Sequence, residues 1–414
     1  MERNDRSIVG YVMVAHAMVH IYELSIPILM TIWLLEFSTT AALLGTAVSV
    51  GYGLFGIGAL PGGLLVDRYG SRTLIVACLA GMGASFLALS FAPGVLGVAL
   101  ALALWGASAS IYHPAGLTLI SNGVEERGRG FAYHGMAGNV GIAGGPLLTA
   151  ILLLAFDWRT VAVLLAVPAL LAAIIGLRVR FDPTAALEDA EAIRDSGTGP
   201  SSVAAFLGET KRLFTVGFLF VFVIVALNGL YYRGILTFLP DLLGDFLAAA
   251  VGEVHLIVDP ESPLADDFDL SSYLYAGLLT VGIGGQYLGG RLTDRIEPDR
   301  GLIVMLSALT IIAVAFVPAA QLGLWGLIAA SVALGFTLFA MQPLTQATIA
   351  KYSLPEARGL SFGYTYLAIF GIGALGAAIV GTVLTYGTVA IMFLVLASFS
   401  AAAGLLAVRL VTRS

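Results

Sequence analysis

Twelve separate runs of 18 or more mostly apolar residues follow one another along the chain, at about 8–35, 41–66, 73–93, 97–121, 131–155, 159–180, 214–240, 271–291, 301–319, 322–350, 360–384 and 387–408. Each is long enough to cross a hydrocarbon layer of roughly 30 Å as a helix of about 20 residues. An all-α membrane protein follows. With 59% of its 414 residues hydrophobic and 11% charged, the chain has too little polar surface for a water-soluble enzyme. Its single cysteine, Cys78, lies in an apolar run, which excludes a disulfide framework and a cysteine metal cluster. The first run carries His16, His20, Glu23 and Pro27 and reads as a retained helix rather than a cleaved signal peptide.

Lys and Arg fall almost wholly on one side of this ladder of runs, from Arg3 and Arg6 through Arg127 and Arg129 to Arg409 and Arg413, with Arg159 opposite and Arg233 inside a run. Basic loops mark the cytoplasmic side. A multi-pass protein of the cell membrane with both termini in the cytoplasm is therefore expected. The outer loop from Asp241 to Asp269 bears acids with no Lys or Arg and lacks calcium-loop spacing. It reads as a solvated acidic loop, and His255 within it carries little information.

The longest hydrophilic stretch, 182–212, begins with the Ala, Glu, Asp, Ser, Gly and Pro content of a linker. It divides the chain into an N-terminal six-helix half, 1–181, and a C-terminal one, 213–414. The halves echo each other. Gly63-Leu64-Leu65-Val66-Asp67-Arg68 follows the second run and Gly290-Arg291-Leu292-Thr293-Asp294-Arg295 the eighth, both reading G-x-x-x-D-R. Tyr112-His113-Pro114 in the fourth run likewise corresponds to Met341-Gln342-Pro343 in the tenth. Two pseudo-symmetric halves around a central site are the expected architecture.

These residues resemble the major facilitator superfamily. Gly63, Asp67, Arg68, Gly70 and Arg72 match that family's loop 2–3 motif, with Ser71 where Arg is usual, and Gly290, Asp294 and Arg295 form a weaker second copy. Gly141-Ile142-Ala143-Gly144-Gly145-Pro146 is similar to the core of the family's antiporter motif, without its following Gly-Gly. The arginine of drug/proton antiporters is absent from span four, which speaks against drug efflux of that kind. Tyr112-His113-Pro114-Ala115-Gly116 and Gly138-Asn139-Val140-Gly141 look most like the fosmidomycin-resistance branch. The resemblance implies a twelve-helix secondary carrier working by alternating access, with spans three, six, nine and twelve at the periphery. It also implies a cytoplasmic gate at Gly63, Asp67, Arg68, Gly70, Arg72, Gly290, Asp294 and Arg295, in which Asp67 caps the start of span eleven near Gly359-Leu360-Ser361.

An ionisable group inside a membrane span costs several kcal/mol and marks a functional site by default. Glu23 lies about 15 residues, roughly 22 Å, into the first run, and Arg233 about 19 residues, roughly 28 Å, into the repeat-equivalent seventh. Both are expected in the outer half of the membrane, at similar depths across the interface between halves. His16, His20 and Glu23, spaced i, i+4 and i+7, share one helical face. Together with His113, Asn139, Arg233 and Gln342 they are the expected substrate and proton pathway, the histidines and Glu23 exchanging protons and Arg233 attracting an anionic group. The plainer alternatives are a static Glu23–Arg233 pair, a backbone bond from the His113 ring, and Asn139, Asn228, Gln342 and Gln346 as helix glue. His134, near the start of span five, fits a cap or a gate.

Gly51-Tyr52-Gly53-Leu54-Phe55-Gly56 spells G-x-G-x-x-G, but no strand precedes it. Close helix packing explains it, with Gly58 and Gly62 extending the row. No metalloprotease motif, Walker loop or nucleophile elbow occurs, so neither an enzyme nor a cofactor is expected. The expected partners are a small, anionic or amphiphilic substrate, protons and the lipid bilayer, for a monomer that binds no nucleic acid. Proton-coupled efflux is the first reading, and uptake of an anion or organic acid by symport the second.

Overall fold

The computed structural model describes residues 1–187, 203–251, 270–293, 295–353 and 358–413, and these are helical and loop residues with no strand among them. In the first half run α1 (Arg3–Glu36), α2 (Ala41–Ile57), α3 (Ala59–Tyr69), α4 (Ser71–Ser90), α5 (Val95–Ala109), α6 (Tyr112–Gly123), α7 (Arg127–Leu153) and α8 (Trp158–Arg178). A short amphipathic helix, α9 (Val203–Leu213), follows. The second half contains α10 (Val216–Val251), α11 (Leu270–Thr293), α12 (Pro298–Ala320), α13 (Leu324–Tyr352), α14 (Arg358–Tyr366), a π-helical turn (Leu367–Ile372), α15 (Leu375–Tyr386) and α16 (Val389–Arg413).

With α2/α3, α5/α6 and α14/α15 each counted as one broken span, these helices occupy the twelve apolar runs. Among the described residues, eleven spans are long and apolar enough to cross a membrane by length and composition alone. The remaining one, α11, is 24 residues long and is diluted by Ser271, Ser272, Gln286 and Arg291.

Two of these breaks have a local cause. Pro114 has no N–H and its ring crowds the carbonyl four residues back; that residue is Ser110, and span four is interrupted at Ser110 and Ile111. In span eleven the glycine-containing segment Leu367–Ile372 adopts the wider π geometry, which occurs in single turns and often at functional sites. The G-x-x-x-D-R segment after span two is helical through Tyr69 and is not a loop. The chain turns only at Gly70, whose φ of 77° suits glycine.

The same pairing of spans recurs in both halves. In the first, α1 packs on α7, α2 on α5, and α4 on α8; in the second, α10 packs on the π turn and α15, α11 on α13, and α12 on α16. The halves meet along two related seams, α2 against the π turn and α15, and α7 against α11, while α1 touches α10 at the centre. Lipid offers no hydrophobic drive for helix association, so close backbone approach at small residues has to supply it. A Cβ at Gly56 would lie 2.0 Å from the Gly371 backbone nitrogen, and one at Gly106 would lie 1.9 Å from the Gly51 carbonyl oxygen. The glycine row in span two is thus a packing surface.

Candidate functional site

Between the halves lies a cavity of about 260 Å³ walled by residues of α1, α6, α7, α10, α11, α13, α14 and the π turn. No residue of α4, α8, α12 or α16 reaches it. Its most polar wall is built by the approach of α1 to α7. A Cβ at Gly141 would stand 2.4 Å from the Ala17 carbonyl oxygen, and one at Gly145 would stand 2.7 Å from that of Ile21. With no side chain between them, the two backbones come close enough for the His16 ring to stack on His134, their centroids 3.7 Å apart and planes 10° from parallel.

From there a line of side chains runs toward the second half. The His16 Nδ1–H donates to the His134 carbonyl at 2.8 Å. His16 Nε2 faces His20 Nε2 at 3.1 Å. His20 Nδ1 meets Glu23 Oε2 at 2.7 Å, and Arg233 Nη2 on α10 donates to Glu23 Oε1 at 2.5 Å. Glu23 and Arg233 are each only 2% exposed at the side chain, so both charges are removed from water and answered by each other. Tyr52 completes the arrangement: its ring lies 3.6 Å from the guanidinium carbon, and its hydroxyl donates to the Glu23 carbonyl at 3.1 Å. Arg233 Nε has no partner among the described residues.

The structure gathers the residues singled out in the sequence. His16, His20, Glu23, His113, Asn139 and Gln342 line the cavity, and Arg233 reaches it through Glu23. Among the described residues the His113 ring makes no hydrogen bond to a backbone acceptor; its centroid instead lies 5.2 Å from that of the His16 ring, edge to face. The nearest ligand nitrogens of His16, His20 and His113 all fall within 4.8 Å of one another, so these three rings could hold a metal ion. Sequence reasoning missed Gln286 and the role of Tyr52. Gln286 is a lone long amide in a glycine-rich stretch of α11, the same signal that marked Gln342. Its Oε1 and the Oδ1 of Asn228 are buried without a partner among the described residues, which leaves both able to bind a solute.

The gate residues are less gathered. α3 lies against α14, so the ends of spans two and eleven are neighbours. Arg72 turns away from the second half and donates to the Gly176 and Leu177 carbonyls at 2.8 and 2.7 Å, closing the C-terminus of α8. Arg68 and Arg295 are exposed, and Gly70 and Gly290 have room around them. The surroundings of Gly63, the side chain of Asp67, all of Asp294, and most of the acidic loop with His255 lie outside what the structure describes.

The family model of the Major Facilitator Superfamily matches residues 12–364 and, in a second match, 242–414. No curated protein matches the chain in sequence. Among solved structures, a bacterial homolog of the human lysosomal transporter Spinster, inward-facing and occupied, is 14% identical with a TM-score of 0.73, covering 100% of this chain and 98% of that one. Its unoccupied form gives 14% and 0.72, over 99% and 96% of the two chains. A mutant of the nucleoside transporter NupG is 12% identical with a TM-score of 0.75, over 97% of this chain and 99% of that one.

Proposed function

Since the chain belongs to the Major Facilitator Superfamily and is a secondary transporter, not an enzyme, we propose that it couples movement of a small solute to protons by alternating access around the Glu23–Arg233 pair. The observation that carries this reading is the position of the pair: one charge on α1 and one on α10, buried where the two halves touch. Parting the halves at this point separates the charges. An uncompensated buried charge is costly, so each needs a new partner. A proton neutralises Glu23, and an anionic group of the solute or water answers Arg233.

Outward transport in exchange for protons is the first reading, because the solute cavity and the proton-binding line of His16, His20 and Glu23 share one wall, so solute and proton compete for it. A second reading, uptake of an anion together with a proton, is favoured by the pairing of Arg233: protonating Glu23 frees the guanidinium for the anion. Both place the termini in the cytoplasm and let a monomer suffice, with the α3–α14 contact acting as the gate. The two segments similar to the fosmidomycin-resistance branch contribute His113, Gly138 and Asn139 to the cavity, which supports a kinship in substrate handling.

A thermal-shift screen of small organic anions and amphiphiles supplies a solute, whose inward gradient is then applied to proteoliposomes holding a pH dye. Exchange predicts that the lumen becomes more alkaline and symport that it becomes more acidic. Solute flux without any pH change contradicts the proposal.

A further inference from the structure

We propose that His16, His20 and His113 form a binding site for a divalent transition-metal ion of the zinc class inside the central cavity. The hydrogen bonds already made by the rings point there. His16 Nδ1 faces a backbone carbonyl, which can only accept, so this nitrogen carries the hydrogen and, in the neutral ring, Nε2 keeps its lone pair. His20 Nδ1 faces a Glu23 carboxylate oxygen that is paired with Arg233, so the same assignment leaves the His20 Nε2 lone pair free. With both rings neutral, two lone pairs thus converge across 3.1 Å. A cation between them, a proton or a metal ion, reconciles them.

Bound imidazoles ordinarily donate their second N–H to a carbonyl or a carboxylate, which fixes the tautomer and strengthens the ligand; His16 has the first kind of acceptor and His20 the second. Two nitrogens about 2.05 Å from a tetrahedral zinc ion are roughly 3.3 Å apart, close to the observed separation. His113 supplies the third nitrogen. It lies within 4.8 Å of the other two, and a side-chain adjustment of about 1.5 Å brings it to the spacing a tetrahedral ion requires. His134 is excluded from the set: stacked parallel to His16 at 3.7 Å, it aims its in-plane lone pair alongside the ion and not at it.

Three imidazoles leave a fourth position facing the cavity, where water or a solute donor completes the shell, the arrangement of zinc sites that exchange a ligand. Nitrogen donors without thiolates favour zinc, cobalt, nickel or copper over magnesium or calcium. The ion and a proton claim the same lone pairs and exclude each other, so for the ion's fate the inference rests on the exchange reading above. Binding itself does not.

The test uses full-length protein purified through a histidine-free tag into nanodiscs, with Co2+ as the spectroscopic probe. One Co2+ per chain, with intense tetrahedral ligand-field bands that Zn2+ abolishes, is the expected result. His113→Gln and His16→Gln should each remove the tetrahedral bands, Glu23→Gln should weaken binding about 10- to 100-fold, and His134→Gln should retain the bands. Absence of tetrahedral Co2+ in the wild-type protein overturns the proposal, as does an unchanged spectrum in both His113→Gln and His16→Gln. Because the readout is equilibrium binding, its failure leaves proton-coupled transport standing, and loss of coupling leaves the metal site standing.

Discussion

Removing one member of the Glu23–Arg233 pair should harm the protein more than removing both. At 2.5 Å the two charges attract by about 7 kcal/mol at an effective dielectric constant of roughly 20. Most of that is offset by the cost of taking both ions out of water, whereas deleting one leaves the other buried and unanswered, typically at about 3–5 kcal/mol. Glu23→Gln and Arg233→Met should each lower the thermal unfolding midpoint in detergent by an amount corresponding to that range. The double variant, with both charges gone, should unfold above either single variant and within about 1–2 kcal/mol of wild type. Tyr52→Leu serves as a control: it removes a buried ring 3.6 Å from the guanidinium and a hydroxyl bonded to the Glu23 carbonyl, so it destabilises on either background, and its cost should be about 1–2 kcal/mol greater when Arg233 is present than with Arg233→Met. Tryptophan fluorescence on the four proteins of the Glu23/Arg233 cycle reads the coupling. A double variant as unstable as the two single effects added together would mean that the charges do not meet, and the site description would fail.

Other consequences are testable separately. Gly138→Ala puts a Cβ 2.5 Å from His16 Cε1, so the ring must leave the His134 carbonyl; a loss of about 1–3 kcal/mol by thermal melt is expected, together with reduced solute-driven proton flux. Gly56→Ala places a methyl 2.0 Å from the Gly371 nitrogen and should wedge the α2 seam open. With Cys78 buried and silent, faster maleimide labelling of an Asn139→Cys reporter would register that opening, and an unchanged rate would refute it. Asp157 caps α8 through the Arg159 and Thr160 amides, and its bonds from Thr160 hold its carboxyl below the usual range. Asp157→Ala should cost about 1 kcal/mol at neutral pH. Because the folded value is the depressed one, that difference should persist above the ordinary carboxylate range and vanish as pH falls through the lowered value.

The number of spans was legible because each apolar run carries its own length requirement. The short list of Glu23 and Arg233 followed from the rarity of charge in those runs. Their similar depth was legible and a Glu23–Arg233 pair was among the readings, but the sequence did not choose it: a rise of about 1.5 Å per residue gives depth along one helix, whereas which faces of α1 and α10 meet depends on packing elsewhere, at positions such as Gly56 and Gly141. His134 was ambiguous for the same reason, since its stacking on His16 follows from the approach of α7 to α1. The π turn left only the weak trace of Gly371 and Gly373, and Gln286 stood outside every repeated or family-like segment. Arg72 matched the gate pattern, yet its guanidinium caps α8, because the end of that helix offers unsatisfied carbonyls close by.

The central claim is that Glu23 is the group whose proton is exchanged when the halves part. The most direct measurement compares wild type with Glu23→Gln in proteoliposomes, recording solute exchange at equal concentrations and solute-driven pH change in the same preparation. The account predicts that Glu23→Gln retains solute exchange and loses the pH change. A pH change of unaltered size in Glu23→Gln would contradict it.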